Sequence, residues 1–217
     1  MPAPYPVQLS VDYPDRPLNR LTTGFRIVVA IPILILLQSV SGGVFFSIPR
    51  TSGPRGFTGS EYVVIAGAGG ILFLATLLMI LFRKKYPRWW FDWNVELQRF
   101  TNRVLVYVLL MNDRYPSTDD QQSVHLDYVY PDAARDLNRG LPLVKWFLAI
   151  PHWIVLFFLW IAVFVVTVIA WFAILFTGRY PRSLFTFVEG VVRWGQRVVG
   201  YSLLLATDRY PPFRLTP

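Results

Sequence analysis

Apolar positions along this chain fall into three patterns, and each predicts a different element. Continuous runs come first. In Leu141 to Phe176 the only formal charge is Lys145, and nothing charged follows from Trp146 to Gly178. That is well beyond the roughly 20 apolar residues a helix needs to cross a bilayer. The stretches Leu21 to Val40 and Tyr62 to Phe82 predict two more membrane segments, the first kinked at Pro32. In the second, the small residues Ala66, Gly67, Gly69 and Gly70 predict close contact with another helix.

The second pattern is alternation. Val7, Leu9 and Val11 alternate with Gln8, Ser10 and Asp12, and VHLDYVYPD after Ser123 reads the same way, so each predicts a short strand at the membrane surface. The third pattern is a helical stripe. Trp93, Leu97, Phe100, Val104 and Tyr107 step by four, three, four and three residues, and so do Phe187, Val191, Trp194, Val198 and Tyr201. Both stripes predict amphipathic helices, over about 90–111 and 184–205. Such helices either lie in the headgroup layer or pack against the protein's own membrane helices.

The patterns recur in order. Tyr13-Pro14-Asp15 matches Tyr130-Pro131-Asp132, Leu18-Asn19-Arg20 matches Leu137-Asn138-Arg139, and Ala30-Ile31-Pro32 matches Ala149-Ile150-Pro151. Ile80-Leu81-Phe82 returns as Ile174-Leu175-Phe176, Tyr86-Pro87-Arg88 as Tyr180-Pro181-Arg182, and Asp113-Arg114-Tyr115-Pro116 as Asp208-Arg209-Tyr210-Pro211. This predicts a tandem repeat: residues 1–116 with a membrane hairpin over about 21–82, a linker at 117–123, and residues 124–217 with a hairpin over about 141–177. The fold class expected is an all-α membrane protein of four transmembrane or re-entrant helices in two hairpins, with two interfacial helices and short cytoplasmic strands. The second hairpin is tight, because roughly 36 residues at 1.5 Å each give about 54 Å for two crossings of a core about 30 Å thick. A single tilted helix fits that length too. The repeat and the placement of the tail's basic residues favour the hairpin.

Charge orients this arrangement. The chain has 217 residues and a net charge of +8, and with four segments every Lys and Arg except Arg50 and Arg55 falls on one side. The positive-inside rule makes that side cytoplasmic, with both termini on it. Basic and aromatic residues at the boundaries predict contact with anionic lipid headgroups rather than nucleic acid: Arg83, Lys84, Lys85, Arg88, Trp89, Trp90, Arg99, Arg103, Arg179, Arg182, Arg193, Trp194 and Arg197.

Candidate chemistry is sparse. With no cysteine there is no disulfide, thiolate nucleophile or cysteine-bound metal. His125 and His152 lie in no metal-ligand pattern, and the expectation for His152 is an uncharged ring hydrogen-bonded near the interface. No nucleophile elbow, phosphate loop or dinucleotide fingerprint is present, so no cofactor is expected. The recurring charges Asp15 with Arg20, Asp132 with Arg139, and Asp113 or Asp208 beside Arg114 or Arg209 predict duplicated structural ion pairs.

The DRYPPF ending after an RW–R–Y helix, with a YPD–LNR lead-in before an IP-containing apolar segment, resembles the bacterial membrane family known as domain of unknown function 4389. The resemblance implies a bacterial cytoplasmic-membrane protein and brings no activity with it. The first unit departs from the second in its long Gly/Pro loop and its WWFDW helix entrance. The function expected is that of a non-enzymatic accessory or scaffolding subunit, in contact with anionic lipids and with other membrane subunits or its own copies. The alternatives are a membrane-shaping hairpin protein of reticulon-like architecture and a channel or small-molecule transporter.

Overall fold

The computed structural model describes residues 4–41, 44–52, 57–65, 70–118, 120 and 122–217. The alternating segments Val7–Val11 (β1) and Val124–Tyr128 (β4) pair as an antiparallel ribbon, Leu9 opposite Leu126. Alternation puts Val7, Leu9, Val11, Val124 and Leu126 on its buried face. Gln8, Ser10, Asp12, His125 and Asp127 line the exposed one.

Between the strands come α1 (Arg20–Gly24), α2 (Arg26–Val40), β2 (Val44–Ser52), β3 (Phe57–Ile65), α3 (Gly70–Arg83) and α4 (Arg88–Val108). Asn19 caps α1 by accepting from the Leu21 and Thr22 amides. After β4 come α5 (Leu141–Thr177) and α6 (Arg182–Ser202). Helices α4 and α6 both start after a proline, Pro87 and Pro181, whose fixed φ suits a helix entrance. Both stop just before a leucine in the left-handed region, Leu110 and Leu205.

Three expectations are corrected. The stretch 141–177 is one uninterrupted helix rather than a hairpin. No glycine or turn former interrupts the run from His152 onward, and reversing there would leave apolar-embedded backbone groups without partners. Helix α5 continues until Gly178, whose φ of 75° ends it with its amide on the Ile174 carbonyl at 2.7 Å. Second, the apolar stretch 62–82 is not helical throughout: Tyr62–Ile65 belongs to β3, and α3 starts at Gly70. The expected contact residues Ala66, Gly67 and Gly69 lie outside the described residues. Third, among the described residues α5 alone is long and apolar enough to cross a membrane; α2 and α3 are shorter apolar helices.

The elements stack in layers. The ribbon lies on α6 through β1 and on α4 through β4, while α2 packs on α4 and α5 packs on α6. Of the two placements predicted for the amphipathic helices, the structure adopts internal packing. Helix α6 is buried on nearly every side, and Gly200 is needed where it meets the ribbon: a Cβ there would lie 2.7 Å from Val7. The outer layer is greasy. A single stripe of α5, Lys145, Ala149, His152, Leu156, Val163, Ala170 and Ile174, faces the protein. Beside it Leu159, Trp160, Val166 and Trp171 are half-buried, and most of the remaining surface stands exposed, including Phe157 at 62%, Phe164 at 69% and Phe176 at 77%.

The lead-in of each half docks on the helix of the other. Tyr13 donates to the Tyr180 carbonyl, packs edge-on against Phe185 and lies under Arg182. Tyr130 donates to the Tyr86 carbonyl, packs edge-on against Phe91 and lies under Arg88. Likewise Arg193 of α6 donates to the Leu9 carbonyl at 2.7 Å, and Arg99 of α4 to the Leu126 carbonyl at 2.9 Å.

Candidate functional site

The two charges nearest the apolar segments, Arg26 and Lys145, each stand four residues before an Ala-Ile-Pro and end up buried in matching surroundings. Lys145 donates to the Thr207 carbonyl at 2.8 Å, lies 5.1 Å from the centre of the Tyr201 ring, and pairs with Asp208 at 2.8 Å. Asp208 in turn accepts from the Asn138 amide at 2.7 Å. Arg26 donates to the Asn112 carbonyl at 3.0 Å and lies 4.1 Å over the Tyr107 ring. Asp113 accepts from the Asn19 amide at 3.3 Å.

One link differs. Asp113 pairs with the exposed Arg16 at 3.0 Å instead of with the buried cation. Arg26 therefore keeps two buried nitrogens, Nε and Nη2, that donate to no described residue. Removing a guanidinium from water leaves a large desolvation cost that only a facing anion or acceptor offsets.

Arg26 lines a groove of about 550 Å³ between α1–α2 and α5, floored by residues 108–110. Its other walls are almost wholly apolar, among them Ile27, Ala30, Trp160, Val163 and Phe164. Thr23 contributes a second unmatched group, a buried hydroxyl with no partner among the described residues, while its carbonyl accepts from Trp171 at 3.1 Å.

His152 sits at the contact of α5, α6 and the C-terminal tail. It is fully buried, accepts from the Trp194 indole at 3.1 Å through Nδ1, and stacks on Phe213 with ring centres 3.9 Å apart. The ring is thus hydrogen-bonded through Nδ1 and buried in the protein interior, while Nε2 has no partner among the described residues. Among the described residues no group of three or more His, Cys, Asp or Glu could hold a metal ion.

The residues expected to meet headgroups divide. Arg83, Lys85, Arg88, Trp89, Arg179 and Arg182 are exposed, with Lys84, Trp90 and Arg99 partly so. Arg103, Arg193, Trp194 and Arg197 are corrected to internal framework, because they are buried and donate to groups within the protein, although Nε of Arg103 and of Arg197 has no partner among the described residues. Arg103 holds the Ser117 and Thr118 carbonyls, Arg193 holds Leu9, Leu215 and Glu189, and Arg197 holds Arg214 and Thr216. Burial lowers the proton affinity of Arg197, with the like charges of Arg214 and Arg193 adding to it. Burial acts oppositely on the Tyr128 and Tyr86 phenols, raising both well above their ordinary range.

The expected ion pairs also change partners. Arg114 meets Asp120 at 3.3 Å, Asp132 meets Arg135 at 3.8 Å, and Arg209 reaches the Pro4 carbonyl at 3.1 Å. Asp15, Arg20 and Arg139 are exposed. The cations that matter most, Arg26 and Lys145, were not among the expected site residues. Their signal was available in their matching distance to the Ala-Ile-Pro motif.

The segment from α5 through the tail resembles a known family. Residues 142–214 match the family model described as Domain of unknown function (DUF4389). The matched segment contains Lys145, Tyr201, Thr207 and Asp208 of the buried cluster, together with His152, Arg193, Trp194 and Arg197, while Asn138 lies before it. Neither a curated protein nor a solved structure matches the chain.

Proposed function

We propose that this is a non-enzymatic membrane protein, built from two tandem units related by a pseudo-two-fold axis through Leu9 and Leu126. It enters a bacterial cytoplasmic membrane from one side, with both termini cytoplasmic, and serves there as an accessory or scaffolding subunit. The observation that supports this reading is the one-sided polarity of the layers. The lead-in 4–18 runs the length of α5, from Arg209, beside the Asp208 that Lys145 holds, to Gly178, whose carbonyl the Leu18 amide meets at 2.8 Å. Standing α5 across the bilayer would carry Asp12, His125 and Asp127 into hydrocarbon beside it, at several kcal/mol for each charge (about 2.5–3.5). Lying in the plane of the membrane, α5 and α2 present their greasy flank to lipid and keep the ribbon in water.

The chain has no cysteine, so single cysteines report cleanly. In sealed inside-out vesicles, Arg139→Cys and Arg179→Cys, exposed positions flanking the two ends of α5, both react with an impermeant maleimide, and Phe164→Cys reacts only after solubilisation. Labelling of Arg139→Cys and Arg179→Cys from opposite sides would establish a spanning α5 and overturn the one-sided arrangement. The accessory role is tested by gentle purification from native membrane, where a lone monodisperse monomer counts against it.

The same one-sidedness favours a second reading, membrane shaping. Apolar volume inserted into a single leaflet expands that leaflet, and the protein then acts as a wedge. Liposomes that keep their size at high protein density would remove it.

A further inference from the structure

We infer that the groove between α2 and α5 holds one acidic phospholipid of the surrounding bilayer, its phosphate on Arg26 and an acyl chain along the apolar walls. The inference rests on the membrane reading above and narrows it to a single ligand class. Three observations carry it.

The first is the unmatched charge. Arg26 is 2% exposed and keeps Nε and Nη2 free of any described acceptor. The nearby carboxylate of Asp113 is hydrogen-bonded to Arg16 and the Asn19 amide and acts on Arg26 only through space. A phosphate meets a guanidinium through paired, charge-assisted hydrogen bonds, and Thr23, whose hydroxyl is also unmatched, lines the same groove.

The second is the shape and the way in. A cavity of about 550 Å³ with apolar walls and few convergent polar groups is the ordinary form of a small-ligand site. Its walls include Ile27 and Phe164, 84% and 69% exposed, which belong to the layer facing lipid. A ligand thus enters sideways from the bilayer, tail along the helices and headgroup at the start of α2.

The third is the contrast with the other half of the molecule. There Lys145 has its own carboxylate at 2.8 Å, and the Phe73 and Trp146 rings, 5.3 Å apart, occupy the corresponding space. Counted from the shared motifs, their equivalents are Thr167 and Ile27, both of which line the groove. One half is plugged and neutralised; the other is left open and charged.

The test uses the full chain in mild detergent, with native mass spectrometry after addition of dioleoylphosphatidylglycerol, dioleoylphosphatidylcholine or oleate. Wild type retains one phosphatidylglycerol in preference to the other two. Arg26→Gln weakens that retention about tenfold or more, as expected for a lost charged hydrogen bond. Ile27→Trp, at an exposed position where folding is unaffected, blocks the groove with the residue the other half uses. Both variants float with liposomes as wild type does. Equal retention of phosphatidylcholine, preference for oleate, or retention untouched by both substitutions overturns the inference. Failure of wild type to float with any liposome overturns the membrane reading instead.

Discussion

Helix α5 and the pair α2 with α3 are made from the same motifs, yet one is continuous and the other is broken by a β-hairpin. Measured from Ala-Ile-Pro to Ile-Leu-Phe, the first half is longer, and the extra residues fall where β2 and β3 pair. The buried sides remain alike: Ala30 and Ile80 are as deeply packed as Ala149 and Ile174. The difference teaches that what defines each half is the set of contacts at the helix ends, not the continuity of the helix between them. Those end contacts hold a cation, a tyrosine ring, a backbone carbonyl and an Asp on an amide. An insertion in the middle leaves them intact while changing what sits beside them, here one filled cluster and one open groove.

The sharpest way to break the comparison is to unpair the filled cluster. Asp208→Ala leaves Lys145, fully buried, without its carboxylate, and the loss expected is about 3–5 kcal/mol in denaturant unfolding in detergent. The matching Asp113→Ala costs far less, because its partner Arg16 is 73% exposed. Equal losses would show that the two clusters are not distinguished by their ion pairs.

Next is the seat of the ribbon. Gly200→Ala drives a Cβ to 2.7 Å from Val7 and 2.9 Å from Tyr128, and an overpacking loss of about 1–3 kcal/mol is expected. The equivalent position in α4 is Val106, itself buried, so the two sides of the ribbon are packed at different depths. Gly195→Ala, with nothing within 4 Å, serves as the control and gains about 0.5–1 kcal/mol from better helix propensity.

A third test exchanges one half's chemistry for the other's. His152 and Trp194 correspond to Ile33 and Phe100, which meet in an apolar cluster. Trp194→Phe alone strands the His152 acceptor and costs about 1–3 kcal/mol, whereas His152→Ile with Trp194→Phe restores most of it. A double variant no better than the single would mean the two pairs are not interchangeable. The smallest effect is that of Arg16→Ala, about 0–1 kcal/mol by thermal unfolding and weaker still in high salt.

Much of the helical and strand layout was legible because period carries it. Stripes over 90–111 and 184–205 became α4 at Arg88–Val108 and α6 at Arg182–Ser202, and the alternation at 7–11 became β1. Symmetry with the first half and the distribution of charge point to a hairpin at 141–177, where the structure has one helix. Phe157 to Trp160 lacks any turn former, and that local fact decided. The buried arginines of α4 and α6 were misread for a different reason. A cation beside an apolar stripe looks alike in sequence whether it faces headgroups or reaches past the stripe to a strand's carbonyls.

Composition and periodicity by themselves determined that this chain is greasy along three runs, basic at their borders and built on recurring motifs, since each of these depends on residues near in sequence. Only the tertiary structure decided that the halves exchange their lead-in strands, that Lys145 is neutralised by Asp208, and that Arg26 is left facing a groove. The reason is that a buried charge is defined by its partner. The partners here come from elements many tens of residues apart, brought together by a ribbon whose pairing no local pattern specifies.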